Sequence, residues 1–256
     1  MFKNLLVPTT GGPGDAAVFA TARLAAVAFA AHLEFLHVRI DTTEVLMSMT
    51  SGGVGGGDAV QAVIDRMDAE ADALAATARR AVDDMLAAAG IPLCDAPQGT
   101  GASAEYSMQQ GDRSAWVAQY GRFADLVVMG RGGPDDGAGE TLEAVLMDTG
   151  KPLLIAPAAA PASLGKRIVI AWKDTPEAAR AVSCALAFIS RAEQVTIVSV
   201  AGVEASHRGA AVADVRSVAR KLYKPSNARR PAGAAPGTDP DHRDSGGSSG
   251  PAPSSV

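Results

Sequence analysis

The residues with the clearest potential for chemistry lie in a glycine-rich segment near the middle of the chain, residues 124–157. A short apolar run at 126–129 is typical of a parallel strand that is buried on both faces, and it leads directly into the glycines. A helical pattern follows, and a second buried strand is predicted at 153–155. In such a βαβ unit the loop lies at the carboxyl end of the strand, where the unpaired N–H groups of the helix start favour anions such as phosphate. The glycines concerned are Gly130, Gly132, Gly133, Gly137 and Gly139.

The same loop has a plainer interpretation as a structural turn. Glycine is needed wherever a strand turns tightly into a helix, whether or not a ligand is bound. The charges also count against phosphate, because the loop contains the acidic residues Asp135, Asp136 and Glu140 but a single cation, Arg131. These carboxylates would repel a phosphate group. Phosphate binding and simple turn formation both remain open on this evidence.

Composition and charge restrict the classes of function. The chain has 256 residues, of which 47% are hydrophobic, enough for the core of one large or two small domains. Its net charge of -5 and pI of about 5.4, without a basic stripe, argue against nucleic-acid binding. Cys94 and Cys184 belong to no metal or redox motif and fit the thiols of a reducing cytosol. The apolar segment 16–31 is interrupted by Arg23 and falls short of the roughly 18 residues of a membrane span, so we expect a cytoplasmic protein without membrane contact.

Strand and helix patterns alternate five times over roughly the first 155 residues, which predicts an α/β fold with a doubly wound, five-stranded parallel sheet. The third strand alternates apolar and polar residues and is therefore expected at an edge of the sheet. Ligands of such sheets bind beyond the carboxyl ends of the strands, so the turn after Pro8, Val38 and the loop from Gly130 should converge there. The predicted strands are 5–8, 33–38, 102–109, 126–129 and 153–155, and the predicted helices include 15–31, 58–89 and 112–120.

Individual residues carry more local expectations. Asp15 is predicted to be the N-cap of the first helix, and Asp112 that of a later one. His32 is placed at the end of the first helix, where a cation suits the dipole, while His37 is expected to be a hydrogen-bonded histidine in or beside the core. The long helix should turn four acids to solvent, Asp65, Asp68, Asp83 and Asp84. Its apolar stripe should face the sheet and consists of Val60, Val63, Ile64, Met67, Ala71, Leu74, Ala78, Val82 and Leu86.

A second, shorter copy of the opening pattern follows. Residues 3–38 and 166–200 both read as lysine, apolar strand, polar turn, alanine-rich helix and apolar strand. We therefore predict a first domain at 1–157, a linker at 158–165 and a partial second domain at 166–203. Two strands and one helix bury too little surface to be stable alone, so the fragment should either dock on the first domain or remain mobile.

The last part of the chain, residues 204–256, offers little to bury beyond one helical pattern at 210–222. It is rich in proline, glycine, serine, arginine and aspartate, a composition that does not offset the entropy of ordering the chain. One interpretation is a natural disordered tail. The other, which we favour slightly because the repeat stops in mid-domain, is a truncated or out-of-frame second copy.

Four segments taken together resemble the universal stress protein family: LLVPTTGG at 5–12, LEFLHV at 33–38, ADLVVMGRGG at 124–133, and GETLEAVL followed by KPLLIAP up to Pro157. The resemblance covers the first domain well and the second copy in part. It implies a Rossmann-like, adenine-nucleotide-hydrolase-like sheet with strand order 3-2-1-4-5, a role in stress response, and dimers paired through the last strand. Tandem copies are common in the family, and many members bind ATP while others do not.

The ATP-binding members of that family carry the pattern G-x2-G-x9-G-[ST] after the fourth strand. Gly130 and Gly133 match its first half, but the spacing to Gly139 is too short and Glu140 stands where serine or threonine would contact phosphate. Thr10 replaces the aspartate that usually ends the first strand, and Lys173 takes that place in the second copy. The sheet rule and the resemblance together assign the candidate nucleotide crevice to Pro8, Thr9, Thr10, Val38, Met129, Gly130, Arg131, Gly133, Gly139, Glu140 and Thr141.

The sequence contains no Ser-His-Asp, HExxH or paired-carboxylate arrangement, so it predicts no catalytic residue and no metal site. The turn 10–15 is faintly similar to the phosphate loop of adenylating enzymes. Because this similarity is weak, an enzyme of the adenylating type is only the third hypothesis. The leading hypothesis is a non-enzymatic universal-stress-type protein that acts as a homodimer or through another protein partner, with a weak or degenerate nucleotide pocket. The alternative is an ATP-binding sensor whose occupancy controls association.

Overall fold

The computed structural model describes residues 2–42, 57–131 and 138–199 of the chain. In chain order its elements are β1 (Asn4–Thr9), α1 (Asp15–Phe29), β2 (His32–Arg39), α2 (Gly57–Ala89), β3 (Ser103–Gln110), α3 (Arg113–Gly121), β4 (Leu126–Gly130), α4 (Ala138–Asp148), β5 (Leu153–Ala156), β6 (Arg167–Trp172), α5 (Pro176–Ile189) and β7 (Gln194–Ser199). The first five strands form one parallel sheet of order β3-β2-β1-β4-β5. The doubly wound five-stranded sheet and the strand order 3-2-1-4-5 are therefore confirmed. A separate parallel pair, β6-β7, follows.

Some predicted features lie outside the described residues. These are the loop glycines Gly132, Gly133 and Gly137 with Asp135 and Asp136, and the chain from residue 200 onward, including the helical pattern at 210–222. The division into two domains and the interpretation of the tail stay predictions.

Alternation along the central strands divides the core into two layers. Leu5 of β1 and Phe35 of β2 pack on the face that α1 and the carboxyl-terminal part of α2 cover. Leu6 lies on the other face, with Val117 of α3 and Val145 of α4. Since β1 and β4 are covered on both faces, their sequences read as continuous apolar runs.

The third strand is an edge of the sheet, as its alternation predicted, because β2 is the one described strand that β3 pairs with. An isolated bridge between Ala104 and Leu93 covers one position of its outer side. The prediction for His32 is wrong. α1 ends at Phe29, Ala30 adopts a left-handed conformation with φ of 49°, and His32 is the first residue of β2. The His32 ring is buried, its Nδ1 lies 2.8 Å from the Ser103 hydroxyl, and burial lowers its pKa, so it does not serve as a cation for the helix dipole.

The inner face of α2 is confirmed only near its carboxyl end. Ala78, Val82 and Leu86 are buried, whereas Val63 and Leu74 of the predicted stripe are exposed. The 33 residues of α2 extend about 50 Å, but the 8 residues of β2 extend only about 26 Å, so the sheet covers just part of the helix.

Asp68 on α2 departs from the solvated face predicted for it. Its carboxylate accepts hydrogen bonds from the Arg39 guanidinium at 2.8 Å and from the Thr42 hydroxyl at 2.7 Å. Asp72 accepts a further bond from Arg39 at 2.7 Å. These contacts lower the pKa of Asp68, the Thr42 bond most, and they tie the end of β2 to the exposed half of α2.

The β6-α5-β7 fragment docks on the first core, which was one of its two predicted outcomes. Phe188 of α5 packs against Phe2 and Phe29, with ring centroids 5.4 and 4.8 Å away. The Arg191 guanidinium lies 5.2 Å from the centre of the Phe29 ring. Aromatic contacts of this kind anchor a unit that buries too little surface by itself.

Phe188→Ala should therefore loosen the fragment. Losing the ring should lower the local free energy of opening by about 2 kcal/mol, which corresponds to roughly 30-fold faster amide exchange in β6 and β7. Hydrogen exchange read by mass spectrometry checks this. Phe123→Ala, at a side chain that is 79% exposed, is the matched control and should leave exchange unchanged. Unaltered exchange of β6 and β7 in the Phe188 variant would contradict the anchoring role.

Candidate functional site

The carboxyl edge of the five-stranded sheet collects most of the predicted crevice residues. Pro8 and Thr9 end β1, Val38 lies at the end of β2, and Met129 and Gly130 end β4. β1 lies between β2 and β4, and the pairing of Thr9 with His37 shows that these ends are adjacent. The structure thus brings the three predicted strand ends together at the switch point of the sheet.

The remaining predicted residues surround this edge or lie outside the described part. Thr10 follows β1 directly, and Arg131, which is exposed, follows β4. Gly139, Glu140 and Thr141 are in the first turn of α4, where Glu140 is exposed and Thr141 is buried. Gly133 is not among the described residues, so its role stays a prediction.

Asp15 closes the turn after β1 rather than capping α1. The N-cap of α1 is Gly14, and Asp15 is the first helical residue, so the predicted N-cap is wrong. The buried Asp15 carboxylate accepts bonds from the Thr10 N–H at 3.0 Å, the Thr10 hydroxyl at 2.8 Å and the Gly11 N–H at 2.8 Å. Two N–H groups that could have contacted a phosphate are therefore already bound to a carboxylate.

Gly11 holds this turn against α2. Its φ of 76° lies in the left-handed region, and a Cβ built on it would be 2.3 Å from the carbonyl oxygen of Leu74. No other residue type fits such a backbone and such a close approach without strain. The conformation of the turn is therefore fixed by two sets of contacts, the hydrogen bonds to Asp15 and the close approach of Gly11 to the backbone of α2.

His37 is a buried, hydrogen-bonded histidine, which matches its sequence interpretation. Its ring is 2% exposed, and its Nδ1 lies 3.2 Å from the Thr9 hydroxyl. Burial lowers the pKa of His37, and the positive charge of Arg113 lowers it further. The imidazole is therefore uncharged near neutral pH and offers a hydrogen-bonding group, not a cation, to the crevice.

Arg113 is the crevice residue that sequence reasoning missed. It is the first residue of α3, directly beyond the carboxyl end of β3, and its charge reaches His37. Its Nε atom is buried and has no hydrogen-bond partner among the described residues. The signal that could have found it is its position, a cation right after the predicted N-cap Asp112. That cap is confirmed, since Asp112 accepts from the Ser114 N–H at 2.9 Å.

The starts of α3 and α4 meet beside this edge. The hydroxyls of Ser114 and Thr141 lie 3.3 Å apart, which links the two helix starts. Glu140, in the first turn of α4, places a carboxylate where the helix dipole favours negative charge. That Glu140 opposes a phosphate at this helix start stays a prediction from the sequence.

Within residues 2–42, 57–131 and 138–199, no three His, Cys, Asp or Glu side chains are grouped so that they could hold a metal ion. None of the helices in these ranges is both long enough and apolar enough to cross a membrane.

Comparison with known proteins gives the fold a precedent. A universal stress protein from Archaeoglobus fulgidus DSM 4304 is similar at 18% identity and a TM-score of 0.56, over 86% of this chain and 74% of that one. UspA from Lactobacillus plantarum is similar at 20% identity and a TM-score of 0.42, over 61% of this chain and 98% of that one. A universal stress protein solved in complex with cAMP is similar at 20% identity and a TM-score of 0.41, over 62% and 99%. No family model and no curated protein matches the sequence. The first of these likenesses identifies the fold.

Proposed function

We propose that this chain, which has the universal stress protein fold, acts without catalysis, by associating with a second copy of itself or with another protein. In this proposal the crevice has low affinity for nucleotides, so association does not require a bound nucleotide. We also expect the protein to work in the cytoplasm and to bind neither nucleic acid nor membrane. The observation that carries the proposal is the outer edge of β5.

β5 is the last strand of the five-stranded sheet, and β4 is its single partner among the strands of residues 2–42, 57–131 and 138–199. Its Ile155 side chain is 47% exposed, although the strand is apolar throughout. An edge strand with free N–H and C=O groups and an apolar side chain readily pairs with another strand. If the partner is a second copy, two-fold symmetry places β5 against β5 and makes a closed dimer.

Ile155→Lys should abolish that association. A lysine on an edge strand puts a strongly hydrated charge into the contact, which is how natural sheets block edge pairing. We expect the unaltered protein to sediment as a dimer and the variant as a monomer, with the affinity of association reduced at least about tenfold. Analytical ultracentrifugation over a concentration series checks this.

Phe123→Lys is the control, because this exposed residue follows α3 and lies on no edge strand. It should leave the dimer intact. A dimer that persists in the Ile155 variant, or an unaltered protein that is monomeric and captures no partner, would contradict the proposal.

Three features support a low affinity of the crevice for nucleotides. The Thr10 and Gly11 N–H groups are occupied by Asp15. Glu140 adds negative charge at the start of α4. The family's phosphate-contacting serine or threonine is absent at that position. Each of these opposes the binding of a triphosphate at this edge.

Glu140→Ser should raise the affinity for MgATP. Removing an exposed carboxylate relieves repulsion worth about fivefold in the dissociation constant. Isothermal titration with ATP and magnesium measures it, and Glu143→Ser, an exposed acid one turn later on α4, is the matched control. Micromolar binding by the unaltered protein would overturn the weak-crevice proposal, and an unchanged constant in the Glu140 variant would assign the exclusion to loop geometry.

The second candidate is a true ATP-binding sensor whose occupancy changes association, and Arg113 is the observation that favours it. A guanidinium with a buried, unpartnered Nε beside the strand ends is a group that phosphate oxygens could satisfy. If ATP binds, Arg113→Gln should weaken it by about tenfold. Arg122→Gln is the control, since Arg122 caps the other end of α3 and donates to the Asp148 carbonyl. Nucleotide that co-purifies with the protein and is lost in the Arg113 variant would favour this candidate.

A further inference from the structure

A groove between α1 and α2 is used by none of the functions discussed so far. It has a volume of about 320 Å³, the lower end of the range for small-molecule sites. One end is formed by the turn after β1, at Gly12 and Pro13, and the groove continues along α1 as far as Arg23. It lies on the α1/α2 face of the sheet, which Glu140 and Arg113 do not line.

The two helices run in the same direction along the groove, because each precedes a strand of one parallel sheet. Asp15 and Arg23 are eight residues apart on α1 and both line it. Eight residues of helix span about 12 Å, which matches an extended chain of about ten carbon atoms.

The body of the groove is apolar and preformed. Phe19 is buried at its floor, with its ring in edge contact with that of Phe35 at 5.3 Å between centroids. The small side chains of Ala16, Ala20 and Ala81 leave the space open. Met85 forms a further apolar wall that can adapt its shape to a ligand. The polar group of Thr77 is already used, since its hydroxyl donates to the Ala73 carbonyl.

The two ends of the groove differ in charge. At one end the Asp15 carboxylate is saturated by the turn after β1. At the other end Arg23, a half-buried cation, makes no hydrogen bond and no ion pair with any residue in the described ranges. An elongated apolar space with an unpaired guanidinium at one end is complementary to an amphipathic anion.

We propose that the groove binds a medium-chain carboxylate, with its apolar chain between α1 and α2 and its carboxylate on Arg23. The chain extends from Arg23 past Ala20 and Phe19 toward Pro13, so the ligand carboxylate lies at the end of the groove that is remote from Asp15. This groove shares Gly11 and Asp15 with the turn beside the nucleotide crevice, but it includes neither Glu140 nor Arg113 and no residue of β5. Its failure would leave both proposals above unchanged.

The test is isothermal titration of the full chain with decanoate, kept well below its micellar concentration. We expect a dissociation constant of about 0.1 mM. Arg23→Gln should weaken decanoate about tenfold and leave decanol binding unchanged, because only the charged head contacts Arg23. Arg80→Gln, an exposed arginine on α2 outside the groove, is the charge control.

Ala20→Leu fills the groove and should abolish binding of decanoate and decanol alike. Ala28→Leu adds the same side chain at an exposed position of α1 and should bind like the unaltered protein. Thermal unfolding of all four variants establishes that they are folded. No heat with the unaltered protein, binding that survives Ala20→Leu, or equal loss of decanoate and decanol in Arg23→Gln would each overturn the proposal.

Discussion

Gly11→Ala is expected to lower the free energy of unfolding by about 3 kcal/mol. Two costs combine. Alanine is strained at the left-handed φ of 76°, and its methyl group would lie 2.3 Å from the Leu74 carbonyl oxygen. The obstacle is helix backbone, which cannot move aside as a flexible side chain would. Either the turn must leave its conformation or α2 must shift away from α1. Urea unfolding followed by circular dichroism measures the loss.

Gly14→Ala provides a matched control for this prediction. Gly14 lies three residues later in the same turn, has φ of -69° in the helical region, and a Cβ there would meet nothing within 4 Å. Its replacement should leave stability unchanged or raise it by about 0.5 kcal/mol, because alanine restricts the unfolded chain. If both variants unfold at the same urea concentration, then the contact with Leu74 is not a constraint on this turn.

Asp15→Ala is expected to cost about 2 to 3 kcal/mol. The carboxylate is buried and accepts from two N–H groups and one hydroxyl of the turn, and charge-assisted bonds of this kind are the strong ones. Its removal leaves the Thr10 and Gly11 N–H groups without their partner. The turn would then lose its anchor to α1, and thermal or urea unfolding should report the change.

Asp112→Ala is the comparison for Asp15. Asp112 is an exposed N-cap whose side chain accepts a bond from the Ser114 N–H, so its loss should cost only about 1 kcal/mol. A larger loss for Asp112 than for Asp15 would contradict the account of the turn. Asp15→Asn should fall between the two, because the amide keeps one acceptor but replaces the other with a donor.

The elements of the sheet could be predicted because their signals are local. The apolar run at Leu126–Gly130 is typical of a strand covered on both faces, and the alternation in β3 is typical of an edge. The apolar run at Leu153–Ala156 located β5, but the prediction that this strand is buried was wrong, because β5 is an edge of the sheet and its Ile155 is 47% exposed. The same reasoning failed on α2, where nine apolar residues at helical spacing predicted one continuous inner face. Only Ala78, Val82 and Leu86 are buried, because helical periodicity does not reveal how far the neighbouring sheet extends.

The positions of the strand ends at the candidate site could be predicted from the sequence, but the charged groups around them could not. The strand ends at Thr9, Val38 and Gly130 follow from the rule for parallel sheets. Arg113 does not, because its charge acts on His37 across a fold that brings together residues 76 positions apart in sequence. Counting charges within the glycine loop therefore found Arg131 and overlooked Arg113, which is half-buried and has a buried Nε atom.

The sequence by itself determined the class of fold, the order in which strands and helices alternate, and which strand ends meet at one edge of the sheet. Those properties come from hydrophobic period and turn chemistry, which act over a few neighbouring residues. Only the tertiary structure decided that Asp15 fills the turn after β1 and that Leu74 leaves room for glycine alone at position 11. It also decided that Arg23 lies at the end of an apolar groove with no partner in the described part of the chain. Such contacts join distant parts of the chain, and no local pattern encodes them.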